Sequence, residues 1–113
     1  MSKYGNQKTV IDGIRFDSKH EASRYIELKY MERAGLIKDL LLQQRFELIP
    51  EIRDCHGRVK QRPVYYVADF CYSEKDGDGW RRVVEDAKGY RTQVYKLKKK
   101  IMLWKYNIDL KET

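Results

Sequence analysis

Three side chains stand at a spacing that suits chemistry: Asp69, Asp86 and Lys88. Asp69 interrupts the otherwise apolar run from Val64 to Tyr72, where an unpaired carboxylate is costly. Asp86 and Lys88 belong to a second run, from Arg82 to Gly89. β-Branched and aromatic residues read both runs as strands, and the turn residues Asp76 to Gly79 between them predict a hairpin. Side chains alternate along a strand, so Asp86 and Lys88 share one face, and Val83, Glu85 and Ala87 take the other. In such a hairpin Asp69 falls opposite or diagonal to Asp86, and like charges across a ladder repel. The arrangement predicts a cation between them. Carboxylates are hard donors suited to Mg²⁺, and a neighbouring lysine can orient water or neutralise charge developing on a phosphate. The plain alternative makes Asp86 and Lys88 an exposed pair worth little, but it leaves Asp69 unexplained.

An aspartate, a hairpin and then Asp-x-Lys resembles the PD-(D/E)xK nucleases, with Ala68-Asp69 in the first position and Asp86-Ala87-Lys88 in the second. Ala68 stands where the family name has proline. Many of these nucleases also carry a glutamate on the helix before the sheet, a place that Glu21 matches. The resemblance runs from about residue 10 to residue 105 and is closest to small phage-type and Holliday-junction-resolvase-like members. It implies an α/β (α+β) core, a mixed central sheet flanked by helices in the manner of restriction endonucleases. The implied activity is metal-dependent hydrolysis of phosphodiester bonds in DNA, on branched or otherwise structured substrates in phage recombination or DNA processing. Mg²⁺ is the implied cofactor, with Mn²⁺ able to substitute. Glu21, Asp69, Asp86 and Lys88 are the implied catalytic residues. Glu21, Asp69, Asp86 and the main-chain carbonyl of Ala87 are the implied metal ligands. Recognition of branched DNA uses two copies of such a site, which makes a homodimer an expectation. Glu21 has a second reading, since Ser18-x-x-Glu21 is a capping box whose glutamate satisfies a free amide at the helix start. Both readings stand at this level.

The elements that must position these groups follow from the rest of the chain. Residues 1 to 9 are polar and read as a loose tail. Two short apolar runs flank Asp12-Gly13, a strong hairpin signal. Asp17 or Ser18 caps a helix in which Ala22, Tyr25, Ile26, Leu28 and Met31 keep helical spacing up to the stop at Gly35. Leu36 to Leu42 and Arg45 to Ile49 read as strand material around Gln43-Gln44, and Pro50 is confined to an edge or bulge. Residues 51 to 62, with turn-like Asp54 to Gly57, form a hairpin excursion before the central strand. Glu47 and Glu51 read as exposed strand carboxylates.

Thr92 is a candidate cap for a helix running through Tyr106. Val94, Leu97, Ile101 and Trp104 fall at offsets of three, four and three, which predicts a buried stripe. Arg91, Lys96, Lys98, Lys99, Lys100 and Lys105 occupy the remainder, with no acid from Arg91 to Tyr106. A solvated helix face normally mixes signs. The single-sign cluster makes Arg91, Lys96, Lys98, Lys99 and Lys100 candidate nucleic-acid contacts, with Tyr90 and Tyr95 available for stacking. Asn107 to Leu110 reads as a last short strand, and Lys111 to Thr113 as a frayed end.

The 113 residues suit a single domain with one core, and a net charge of +7 fits a polyanionic partner. No apolar run approaches the ~18 residues of a membrane span, and the first residues lack the apolar core of a signal peptide, so a cytoplasmic location, bacterial or in a phage-infected host cell, is expected. Cys55 and Cys71 fit no CxxC pattern, and Cys55 adjoins His56, unlike the separated ligands of zinc motifs. In a reducing compartment the two cysteines are expected as thiols. Two competing functions remain at this level: a non-catalytic, basic nucleic-acid-binding module, and a protein whose basic face docks an acidic partner.

Overall fold

The computed structural model describes residues 8–87 and 91–113. In chain order the elements are β1 (Thr9–Ile11), β2 (Ile14–Phe16), α1 (Lys19–Arg33), β3 (Ile37–Ile49), β4 (Ile52–Arg53), β5 (Val59–Gln61), β6 (Val64–Asp76), β7 (Gly79–Asp86), α2 (Gln93–Tyr106) and β8 (Lys111–Glu112). The central sheet has the order β3-β6-β7-β8, antiparallel as far as β7, with β8 parallel to β7. One apolar cluster joins Phe16, Tyr25 and Leu28 to Phe70, Tyr72 and Val83 under α1. A second joins Phe46, Tyr66, Cys71 and Val84 to Tyr95, Met102 and Leu110 under α2. This is the mixed sheet flanked by helices that the sequence predicts.

Local chemistry accounts for the element ends. Asp12 and Gly13 both take left-handed φ, 53° and 75°, which closes the β1–β2 hairpin with the twist its strands need. Ser18 caps α1 by accepting from the Glu21 N–H at 3.1 Å. At the other end Gly35, φ 76°, donates to Glu32, and Leu36 donates to Met31, a Schellman closure. Thr92 caps α2 through the Tyr95 N–H at 3.0 Å.

The strand material expected around Gln43-Gln44 forms one strand, β3, running from Ile37 to Ile49 through Gln43, which has a left-handed φ of 55°. That residue resets the alternation. Leu40 and Leu42 pack on the α1 side, whereas Phe46 and Leu48 pack on the α2 side. On β6, Tyr66 and Ala68 face α2, whereas Phe70 and Tyr72 face α1. All of these positions are even, so an unbroken period of two would put each strand's set on one face. Both switches fall at one level, because Gln43 lies between the pairs Leu42↔Phe70 and Gln44↔Ala68, opposite Asp69.

Other expectations are corrected. Thr9 belongs to β1 and not to a tail, and residues 1–7 lie outside the described residues. Ile26 is exposed rather than on the packed face of α1. Asn107 to Leu110 form no strand; it is Lys111–Glu112 that pairs with β7, and Thr113 N–H donates to the Asp86 carbonyl at 3.0 Å, so the end is not frayed. The largest correction concerns α2. Its buried residues are Tyr95 and Met102; of the expected stripe Ile101 packs half-buried beside them, while Val94, Leu97 and Trp104 are 63, 59 and 82 % exposed. Hydrogen bonds set the rotation of the helix: Tyr95 donates to Glu112 at 2.8 Å, Lys105 to the Leu48 carbonyl at 3.2 Å, and Tyr106 to the Glu47 carbonyl at 2.5 Å.

Candidate metal and nucleic-acid site

Glu21 sits in the first turn of α1 and Asp69 at the switch in β6, and both are buried. The Gln43 amide nitrogen donates to Glu21 Oε1 at 3.2 Å and to Asp69 Oδ1 at 3.4 Å. Gln43 is itself exposed, so the two acids lie one amide beneath the surface. The second oxygen of Asp69 accepts from the Ala87 N–H at 2.8 Å. Asp69 is 5 % exposed, yet these two donors carry no full charge.

The β6–β7 ladder ends at Phe70↔Glu85, so Asp69 and Asp86 are the next residues on their strands, as the hairpin reading requires. Alternation carries the Asp86 carboxylate to the α2 side, fully buried, where Tyr66 Oη donates to it at 2.7 Å. Burial, then the bond to Asp86, raises the Tyr66 pKa, and the charge of Asp69 adds to the effect. The Tyr66 phenol thus bonds one acid and feels the charge of the other. Lys88 lies outside the described residues.

The donor set of Glu21, Asp69 and Asp86 is oxygen only, the chemistry that Mg²⁺ takes. Among the described residues, no three carboxylate, histidine or cysteine side chains already gather around one point as a metal shell. Glu21 and Asp69 are brought together through Gln43; Asp86 approaches from the other face. Ala87 contributes its N–H to Asp69. Cys71 is buried, which pushes its thiol up to about 11, while Cys55 is exposed; both are free thiols.

The five candidate nucleic-acid contacts divide. Arg91 and Lys99 pair with Glu112 at 2.8 and 3.2 Å, the first half-buried over the Tyr95 ring. Their charge is spent on fastening α2 to β8. Lys96 and Lys100 are exposed and Lys98 half-buried, and none of these three pairs with a carboxylate among the described residues. Glu47 and Glu51 are exposed, as expected.

Sequence reasoning missed three features. Gln43 carried no signal beyond a polar pair between apolar runs. Tyr66 was one of nine tyrosines. Glu85 was seen only as the neighbour facing away from Asp86, and it anchors a network: Arg24 donates to it from Nε and Nη2 at 2.7 and 2.9 Å, Tyr72 at 2.7 Å and Thr113 at 3.0 Å.

No helix among the described residues is long and apolar enough to cross a membrane. Neither the curated proteins nor the solved structures contain a match to this chain. A family model does match, over residues 1–113, and the chain belongs to that family, described as "Protein of unknown function (DUF1064)".

Proposed function

We propose that the protein is a metal-dependent endonuclease that hydrolyses phosphodiester bonds of DNA. One observation carries this reading: Asp69 is a buried carboxylate set into an apolar strand, served by neutral donors, with Glu21 one amide away and Asp86 beside it past the end of the ladder. Buried charges are ordinarily paired or bound to a metal. Glu21, Asp69 and Asp86 would hold Mg²⁺, or Mn²⁺ in its place, with the Ala87 carbonyl as a further candidate donor. The ion, when bound, polarises phosphate and lowers the pKa of water. In this reading Lys88 orients the attacking water or offsets charge on the phosphate. Lys96 and Lys100 hold phosphates without reading sequence. Branched or otherwise structured DNA, processed by a homodimer during phage recombination, is the substrate class the resemblance supports.

A second reading, a basic nucleic-acid-binding module without catalysis, draws on the lack of a pre-gathered three-ligand shell among the described residues. One experiment separates them. Labelled linear, flapped and four-way DNA is incubated with protein and Mg²⁺, with Asp69→Ala, Asp86→Ala and Lys88→Ala as controls. Cleavage by the parent, lost in EDTA and in all three variants while binding persists, supports the nuclease. Binding without any cleavage supports the module.

A further inference from the structure

Between β3 and β6 the chain leaves the sheet. Ile49↔Val64 closes the central ladder, and the residues between form a separate two-stranded ribbon, β4–β5, paired among the described residues only with itself. Residues 51–62 are all exposed except Asp54. Among the described residues their hydrogen bonds and ion pairs are made within the ribbon. Asp54 Oδ1 accepts from the N–H groups of His56 and Arg58, and Arg53 donates to the Gly57 carbonyl and to Glu51. An isolated hairpin is marginal in water, so these bonds stiffen an arm that has no apolar core of its own. A stiff projection without a core has its use outside the molecule.

We propose that the β4–β5 arm is a groove-gripping element for duplex DNA, an inference that rests on the DNA reading of the carboxylate site. Shape and charge both point there. The major groove of B-form DNA, about 12 Å wide, admits a two-stranded ribbon. The arm carries Arg53, Arg58, Lys60 and Arg62 against Glu51 and Asp54, and among the described residues Lys60 and Arg62 pair with no acid. A second copy of a chain of charge +7 would instead meet the basic arm with like charge.

The placement fixes where the arm acts. Asp69 lies five residues along β6 from Val64, about 17 Å at the rise of a strand. The arm adds about as much again, so its grip falls between half a turn and one turn of DNA from the scissile phosphate, a turn being about 34 Å. RNA duplexes offer no such seat, since their major groove is deep and narrow.

Three measurements test this. In the first, residues 50–63 are replaced by Asn-Gly, a two-residue turn matched to the Ile49↔Val64 pair, and separately Arg58, Lys60 and Arg62 are changed to alanine. Binding of 30-base-pair DNA and RNA duplexes is followed against salt in EDTA. Each change is expected to weaken DNA binding at least tenfold, and the triple variant to lower the log–log salt slope by about two to three. RNA binding should change much less. In the second, a hydroxyl-radical-generating iron chelate is attached to the exposed thiol of Cys55, the buried Cys71 being protected. Cuts should cluster about 5–10 base pairs to one side of the cleavage site, as the half-turn to one-turn reach requires. In the third, sedimentation gives the oligomeric state of both variants.

Unchanged DNA affinity and slope in the triple variant overturn the inference even if the arm-less variant does not fold. Equal losses on DNA and RNA reduce the arm to phosphate contact and also overturn it. So does conversion of a dimer to a monomer, which would assign the arm to a second copy. If the parent cleaves DNA and the triple variant binds and cleaves equally well, only the arm assignment fails. If DNA binding needs the arm but Mg²⁺ supports no cleavage, only the nuclease reading fails.

Discussion

The Gln43 amide serves two acids at once, and both bonds, 3.2 and 3.4 Å, lie at or past the long end for N–H···O. It does so from a left-handed backbone that costs a non-glycine residue of order 1–3 kcal/mol. Gln43→Ala should therefore cost about 1–3 kcal/mol in urea unfolding, by loss of donors to buried acids. Gln43→Glu should cost more in EDTA, because it adds a third carboxylate. Mg²⁺ should restore much of that loss, since a site filled to a hundred times its dissociation constant gains about 2.7 kcal/mol. Absence of rescue would make Glu21 and Asp69 purely structural. Glu85 supplies a contrasting case. Burial pushes its carboxyl up, but hydrogen bonds from Arg24, Tyr72 and Thr113 outweigh this and hold it below the usual range. A depressed folded pKa contributes stability above the unfolded value of about 4.3 and loses it as pH falls through the folded value. The parent should lose stability on acidification below about pH 5 relative to Glu85→Gln, with the gap between their urea midpoints narrowing as Glu85 protonates. At pH 7 the variant should cost about 3–5 kcal/mol, as when one partner leaves a buried ion pair.

At the scale of elements, α2 and β8 are joined through Glu112. Its carboxyl is held below the usual range by the Tyr95 hydroxyl first and by Lys99 and Arg91 as well. Deleting residues 111–113 removes the parallel pairing with β7, these contacts and the Thr113 bond to Glu85. A marked fall in the thermal midpoint is expected, whereas a frayed end would leave it unchanged. The rotation of α2 has its own test. Met102→Ala empties a fully buried position and should cost about 2–5 kcal/mol. Leu97→Lys and Val94→Lys alter exposed positions and should stay within about 0.5 kcal/mol. Chemical denaturation of the three variants decides between this rotation and one that buries the Val94–Trp104 stripe.

For the whole molecule, the excess positive charge is distributed unevenly between free and committed groups. Arg91 and Lys99 are tied to Glu112, and Arg24 to Glu85, while Lys96 and Lys100 face solvent. Lys96→Ala with Lys100→Ala should weaken DNA binding for all sequences alike and reduce the salt slope by about two. Lys99→Ala should chiefly lower stability instead. Titrations of one duplex at several salt concentrations, with a parallel melt, separate the two effects.

Periodicity and turn chemistry by themselves determined most of the fold. Asp12-Gly13, Ser18, Gly35 and Thr92 act within a few residues, so the β1–β2 turn, the caps and the helix spans are local and legible. The order of Asp69, the hairpin and Asp86 was legible for the same reason. The tertiary structure alone decided what depends on a partner far along the chain. Which side of α2 is buried follows from hydrogen bonds to Glu112, Leu48 and Glu47, and an amphipathic tyrosine can outrank a cleaner apolar stripe. The use of Lys111–Glu112 as a strand needs the exposed edge of β7. The meeting of Glu21 with Asp69 needs Gln43, whose left-handed turn resets β3 to match β6 across the ladder. A reset of alternation has no signature in a single strand, because it exists only relative to the two layers that the sheet must serve.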